Sequence, residues 1–255
     1  MSTTVGVVVP AFRPDVQELR RYVTAIDETL QPETVVVELD SPRDGIEGQL
    51  SDLPAIVETV PYRRGKGAAI TAGFEYLETD VRVFADADGS TPVDSLASVV
   101  EPVSSGAADL AVGSRRHPDS EVASHQTFAR RFLGDGFAWL AGTLLTASLY
   151  DYQCGAKAIT AEGWEQVRSH LYEPGFAWDV ELAAMAGALN LRIVEVPIRW
   201  EDRPGSTVSP IRDSVALFRA LLSARHRAKQ VSDDRLHTAI AARREQPTAL
   251  VERDR

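Results

Sequence analysis

The sequence predicts an α/β fold with a mostly parallel central sheet flanked by helices. Three observations carry this expectation. Short β-branched runs alternate with segments of helical period through the first half of the chain. The 255 residues suffice for one large α/β domain or two small ones, with a substantial core. The 44% apolar and 25% charged content is that of an ordinary globular protein. In order, "TVGVVV" reads as a strand, "DVQELRRYVTAIDETL" as a helix and "ETVVVEL" as a strand that leads through a polar loop to "AIVETV". "GAAITAGFEYL" (helix), "VRVFA" (strand), "PVDSLASVVEPV" (helix) and "ADLAVG" (strand) continue the alternation. In such sheets ligands sit at the carboxyl ends of the strands.

The second half reads as more helical. Residues 126–149 include "FLGDGFAWLAGTLLTASLY", apolar nearly all round and close to the ~20 residues of a membrane span. Asp135 and the glycines at 134, 136 and 142 count against insertion, since an interior aspartate costs about 2.5–3.5 kcal/mol on insertion scales. A buried or membrane-surface helix is therefore expected. "WDVELAAMAGALN" and "RIVEVPIRW" give another helix and another strand, and no internal repeat is visible. One domain over residues 1–228 is expected, followed by a charged, loosely held tail over 229–255.

Composition narrows the function. A formal net charge of -10 argues against a general nucleic-acid binder. Cys154 stands alone, so no intrachain disulfide forms and a reducing compartment fits. The five histidines show no HExxH-type spacing, and no zinc site is indicated. "MSTTVGVVVP" lacks the basic and long apolar regions of a signal peptide, so residence in the cytoplasm is expected.

The stretch "VFADADGSTP", residues 83–92, ends a strand in two carboxylates one residue apart. Asp86 and Asp88 could cap a helix opening near Pro92, but one cap would suffice. Residues i and i+2 of an extended segment project to one side, where two carboxylates repel unless a cation or proton lies between them. A divalent metal site is the favoured reading. "RRGKGAAITAGF", residues 63–74, joins a loop to a helix: Gly65 and Gly67 permit close backbone approach, Lys66 brings charge, and a helix N-terminus offers N–H groups to an anion. An ordinary helix start with a solvated lysine fits the same residues.

"VGSRRH" at 112–117 and "FARRF" at 128–132 each hold an arginine pair, suited to bidentate phosphate recognition or, more plainly, to a solvated face. In "DYQCGAKAIT", residues 151–160, Asp151 is a base, a sugar-hydroxyl acceptor or a turn cap. "FAWDVEL" puts Asp179 and Glu181 beside Trp178, either a sugar platform or a helix entrance with one core aromatic. "EDRPGSTVSP" with Arg203 suits a lid or a surface turn.

Taken in order, "VVVPAF", "RRGKGAAITAGF", "FADADGST", "VGSRRH", the second arginine pair, "DYQCGAK", "FAWDVEL" and "RPGS" resemble the dolichyl-phosphate glucose and mannose synthases, the glucosyl branch most closely, over about residues 5–225. The resemblance implies a GT-A fold and an inverting transfer of a hexose from a nucleotide sugar (UDP- or GDP-hexose) to dolichyl or polyprenyl phosphate, feeding protein glycosylation. It implies Mg²⁺ or Mn²⁺ on Asp86 and Asp88, with Ser90 where mannosyl relatives carry a glutamine ligand. It places Pro10, Ala11, Asp40 and Ala87 at the nucleotide, Gly65, Lys66 and Gly67 in the loop beneath it, and Arg115, Arg131 and Arg203 on the phosphates. Asp88, Asp151, Arg115 and Arg131 are the expected catalytic set. "PAFRP" stands where the family reads "PxYNE", "LDSPRD" where it reads "DDGSxD", and Thr207 where a lysine follows "GS".

The chemistry agrees with that implication. A departing nucleoside diphosphate gains charge that a dication on hard oxygen ligands stabilises. A phosphate monoester is already anionic near neutral pH and needs cationic positioning more than a base. A neutral sugar hydroxyl, as on a soluble or lipid-linked glycan, would need a strong base that the sequence does not display. "VFADADGST" is also close to the hhhhDxDGT motif of haloacid-dehalogenase phosphohydrolases, but that motif opens the first strand, and here half a sheet precedes it. A catalytically silent nucleotide-sugar binder is the remaining alternative. Finally, residues 209–229 read as a helix with Val215, Leu217, Phe218, Leu221 and Leu222 on a broad apolar side and Arg212, Arg219, Arg225, Arg227 and Lys229 supplying charge. Such a helix lies on an anionic bilayer or packs on the core; peripheral attachment to the cytoplasmic leaflet is expected.

Overall fold

The computed structural model describes residues 3–123, 128–201, 210–232 and 247–253; side chains at 123, 128–133 and 210–214 lie outside that description. Strand β1 (Val5–Phe12) alternates its side chains between two cores, Val7 and Val9 on one face and Val8 on the other. Helix α1 (Val16–Leu30) follows, capped by Asp15, whose carboxylate accepts from Gln17 and Glu18 N–H at 2.9 and 3.0 Å. Leu19, Tyr22, Val23 and Ile26 form its buried stripe at helical spacing. β2 (Thr34–Asp40), β3 (Ile56–Val60), α3 (Lys66–Tyr76), β4 (Val81–Ala85), α4 (Val93–Ser104) and β5 (Leu110–Ser114) complete the expected alternation, and the short α2 (Ile46–Leu50) forms where a polar loop was expected.

Beyond β5 come β6 (Glu121–Ala123), α5 (Phe128–Leu144), β7 (Ala156–Thr160), α6 (Ala161–Val167), a 3-10 turn at 168–170, α7 (Trp178–Ala188), β8 (Ile193–Pro197), β9 (Arg199–Glu201) and α8 (Pro210–Val231). The main sheet has seven strands in the order β3-β2-β1-β4-β7-β5-β8. All its neighbours run parallel except β7, antiparallel to both β4 and β5. β6 and β9 pair as a separate two-stranded ribbon. Helices α1, α2 and α4 cover one face, while α3 and α5 to α8 cover the other, so the expected α/β class holds.

On the second face Phe74, Phe84, Trp164 and Trp178 meet edge to face, with centroids 5.0 to 6.3 Å apart. Truncating one such tryptophan to alanine costs about 3–5 kcal/mol in a packed core. The end of the expected loose tail needs correction: Leu250 is buried and its N–H donates to Leu171 O at 2.8 Å, so the turn at 250–252 docks on the core. The stretch 233–246 between lies outside the described residues.

Candidate active site

Parallel strands deliver their carboxyl ends to one edge, and register decides which residues meet there. Pro10 and Ala11 of β1 pair with Glu38 and Leu39 of β2, and Phe12 pairs with Asp40. Val8 pairs with Phe84 on the other side, which sets Pro10 level with Asp86 just past β4. Asp40 is buried, and its carboxylate is taken by the loop that follows β3: Oδ2 accepts from Arg64 and Gly65 N–H at 2.7 and 3.0 Å, while Oδ1 accepts from Arg64 Nε at 2.8 Å. Arg64 also reaches Glu38 at 2.7 Å. Asp40 thus holds the GKG loop in place instead of presenting a free carboxylate. Beside it the exposed Phe12 ring carries Arg63 at 4.3 Å and Arg13 at 5.3 Å from its centroid.

The GKG loop owes its glycines to packing. Gly65 has φ +105, and a Cβ there would strike the Pro174 carbonyl; one at Gly67 would meet the Trp178 side chain at 2.5 Å. The Ala68 N–H donates to Pro174 O at 3.1 Å, so that end of α3 is partly closed by residues 173–175 and offers fewer free N–H groups than expected. Lys66 is no solvated lysine. Its ammonium lies 2.8 Å from Asp86 Oδ1 and 3.2 Å from Asp179 Oδ2, and although burial disfavours its charge, these two carboxylates raise its pKa above the ordinary lysine value.

The DAD stretch forms a turn after β4. The helix-cap reading fails here, because α4 starts at Pro92 with no side-chain cap. Asp86 is part-exposed, its N–H donates to Gly155 O at 2.9 Å, and its Oδ2 lies where a Cβ on residue 155 would sit, so Gly155 cradles it. Asp88 is exposed, with Oδ1 accepting from Ser90 N–H at 2.9 Å. Ser90 is buried and its carbonyl accepts from Glu201 N–H at 2.9 Å, which sets the end of β9 against this turn. Arg203, two residues on, lies outside the described residues. Among the described residues no group of three His, Cys, Asp or Glu converges on a metal position. Two hard carboxylates on one turn fit the oxygen-ligand preference of Mg²⁺ or Mn²⁺.

Past β5, Arg115 forms a bidentate fork with Asp151, Nε to Oδ2 at 2.6 Å and Nη2 to Oδ1 at 3.0 Å. Burial alone would raise the Asp151 pKa, but the Arg115 guanidinium, with Arg116 nearby, outweighs it and holds the carboxyl below its usual range. A buried, doubly bonded carboxylate whose ionised form is favoured by a guanidinium is a poor proton acceptor, which counts against Asp151 as a base; the fork fixes the plane of Arg115. Arg116 pairs with Asp135, bringing α5 alongside this loop. A narrow cleft there is lined by Arg115, Arg116, Phe137, Tyr150 and Tyr152. Arg131 lies on α5, its side chain outside the described residues.

"FAWDVEL" resolves toward its plainer reading. Trp178 is fully buried with Nε1 donating to Thr71 at 3.1 Å, so it is no sugar platform. Glu181 is buried, accepts from Tyr172 and Glu173 N–H at 2.8 Å and pairs with Arg227 of α8. α8 divides its apolar side: Leu221, Ala224 and Ala228 are buried, while Val215, Phe218 and Leu222 stay exposed, as does Trp139 of α5. No described helix is long and apolar enough to cross a membrane.

Residues 6–141 match the model of "Glycosyl transferase family 2", and the chain belongs to that family. Its fold is GT-A: a glucosyl-3-phosphoglycerate synthase from Mycobacterium tuberculosis, solved with Mn²⁺, UDP and phosphoglyceric acid, superposes with TM-score 0.64 over 88% of this chain and 78% of that one at 16% identity. A mannosyl-3-phosphoglycerate synthase from Rubrobacter xylanophilus does so with TM-score 0.65 over 91% of this chain and 76% of that one at 17% identity. Among curated proteins the chain is similar to the dolichyl-phosphate beta-glucosyltransferase of Mus musculus, 33% identical over 67% of this chain and 54% of that protein. It also resembles the glycosyltransferase AglD of Haloferax volcanii, 32% identical over 63% of this chain and 25% of that protein. The chain thus spans about half the length, or less, of these two relatives.

Sequence reasoning missed Arg64, Glu38 and Lys157. Glu38 and Asp40 do carry a signal, two acids at i and i+2 on a strand otherwise apolar, which demands a buried cation. Lys157 is one of three lysines in the chain and sits among small and apolar residues, a placement that points to a buried pair.

Proposed function

We propose that this chain is an inverting, metal-dependent hexosyltransferase that moves glucose from a nucleotide sugar to a polyprenyl or dolichyl phosphate. The observation that carries the reading is the arrangement along one sheet edge: the DAD turn after β4, then the Arg115–Asp151 fork beside an aromatic-lined cleft. Similarity to dolichyl-phosphate beta-glucosyltransferases supports the choice of hexose and acceptor. UDP-glucose is the first donor to try, since fold neighbours were crystallised with it.

In this reading Asp86 and Asp88 hold Mg²⁺ or Mn²⁺, with Ser90 as a third candidate ligand. The ion, when bound, supplies charge stabilisation to the departing diphosphate. Pro10, Ala11, Asp40 and Ala87 border the nucleoside, with Asp40 acting through the loop of Gly65, Lys66 and Gly67. Arg115, kept straight by Asp151, orients the acceptor phosphate, joined by Arg131 and Arg203. That phosphate attacks C1 from the face opposite the diphosphate, which inverts the anomeric centre, and being already anionic it needs no base. One catalytic domain over residues 1–228 contains all of these groups. Peripheral attachment to the cytoplasmic leaflet, through exposed Trp139, Val215, Phe218 and Leu222, brings the lipid to the cleft. Incubation with polyprenyl phosphate and a panel of UDP- and GDP-hexoses, followed by mass spectrometry of the lipid, tests the reading: a hexosyl-phosphoryl-polyprenol is expected, and no lipid product with any donor would refute it.

A further inference from the structure

Four side chains of alternating charge run in line from the interior to the DAD turn. Lys157 Nζ donates to Asp179 Oδ1 at 2.5 Å, Lys66 Nζ lies 3.2 Å from Asp179 Oδ2, and the same Nζ lies 2.8 Å from Asp86 Oδ1. Lys157 is further tied to Cys154 O at 2.8 Å, and both ammonium groups stand over the Phe84 ring, 5.1 and 5.4 Å from its centroid. The side chains of Lys157, Asp179 and Lys66 are 1, 2 and 11% exposed, whereas that of Asp86 is 39% exposed. The line is therefore neutral as it stands, buried at one end and open at the other.

Burying an unpaired charge is costly, so Asp179 and Lys157 fix Lys66 from behind and keep it at the site. We infer that Lys66 is the resident counter-cation of Asp86, and that a divalent ion must compete with it for that carboxylate. This rests on the reading of Asp86 as a metal ligand. When a dication takes Asp86, two positive charges stand beside an ammonium that has lost one of its two partners, and an anion at the same place relieves the repulsion. Metal alone thus binds weakly, metal and diphosphate bind cooperatively, and the coupling is reciprocal. Lys66 becomes a positioning residue that makes the site demand both halves of the metal–nucleotide pair.

Mn²⁺ binding followed by electron paramagnetic resonance, with and without UDP, tests this without turnover. Lys66→Met should tighten nucleotide-free Mn²⁺ binding at least about fivefold, the effect of one contacting unit charge even at the dielectric of bulk water, and shrink the enhancement that UDP gives. Lys66→Arg should behave as the wild type. A lysine that merely braced α3 would, on removal, weaken both ligands, and unchanged or weaker nucleotide-free Mn²⁺ binding in folded Lys66→Met overturns the inference. Should that variant not fold, the wild type decides: with three lysines in the chain, ¹⁵N-lysine labelling resolves the Lys66 ammonium, which must shift on saturation with Mg²⁺ and UDP while Lys229 stays put. A Lys66 signal that does not move overturns the inference. Wild-type protein that binds no Mn²⁺ even with UDP fails the metal reading itself, and the inference with it; binding that is merely insensitive to Lys66 fails the inference alone.

Discussion

The carboxyl edge at β1, β2 and β4 and the neighbouring edge past β5 both pair their charges but set them in different surroundings. At the first, acids and bases are paired inside the protein: Arg64 with Glu38 and Asp40, Lys66 with Asp86 and Asp179. At the second, Arg115 is fixed by a single buried acid beside tyrosines and Phe137, and the nearby helices leave Trp139, Phe218 and Leu222 in solvent. The first sets four carboxylates against two cations, and in the proposed reading it is the frame for the cation and the nucleotide sugar. The second joins cationic groups to exposed apolar surface, which suits an anionic headgroup on a lipid chain.

The comparison breaks most sharply at the DAD turn. Asp88→Ala, or chelation of the wild type, should lower transfer at least roughly 10²-fold, about 3 kcal/mol of transition-state stabilisation, in a product assay; full activity in EDTA would remove the metal from the account. Next in size is the Arg115 fork. Asp151→Asn removes one charge and leaves Arg115 misaligned, and a loss of about tenfold or more in kcat/KM is expected, with Arg115→Lys rescuing poorly because an ammonium lacks the planar fork. The Asp151 carboxyl is depressed in the folded state, so its contribution to stability is fully present above the ordinary aspartate pKa near 4 and fades as pH falls below that value. Denaturation followed between about pH 2 and 7 should show that acid-side decline reduced in Asp151→Asn.

Much of this edge was legible in the sequence. The DAD carboxylates announce themselves because like charges at i and i+2 after an apolar strand need an external reason. The alternation of strand and helix likewise gave β1 to β5. Less visible were β7 and α6, since "AKAIT" holds a lysine and two alanines and becomes a strand only through pairing with β4 and β5 on either side. Asp151 stayed open between base, sugar contact and turn cap for a related reason: a carboxylate's role is set by its partner, and Arg115 lies 36 residues away in the chain. Of the two readings open for Trp178, the core aromatic is the one that holds, and the glycine at 67 makes room for it.

Smaller effects sharpen the acceptor side. Arg131→Ala should raise the apparent KM for polyprenyl phosphate several-fold while donor affinity by calorimetry changes little; equal losses would move Arg131 to the donor side. Phe218→Ser with Leu222→Ser should reduce co-sedimentation with anionic liposomes without unfolding the protein, because both side chains already face solvent. This pair is a cleaner probe than Arg227, which is held by Glu181 and stacks on Tyr172 with its guanidinium 4.6 Å from the ring. Least of all, Cys154 should resist alkylation in the native protein at neutral pH, since burial and the nearby Asp151 push its thiol up to about 12.

The central claim is that two aspartates at the end of β4 serve a hexose transfer to a lipid phosphate. It is tested most directly by supplying UDP-glucose, polyprenyl phosphate and Mg²⁺ or Mn²⁺ and determining the anomeric configuration of the product with and without chelator. The account predicts a glucosyl-phosphoryl-polyprenol of inverted configuration that disappears with EDTA. A product of retained configuration, or one formed equally well without metal, would contradict it.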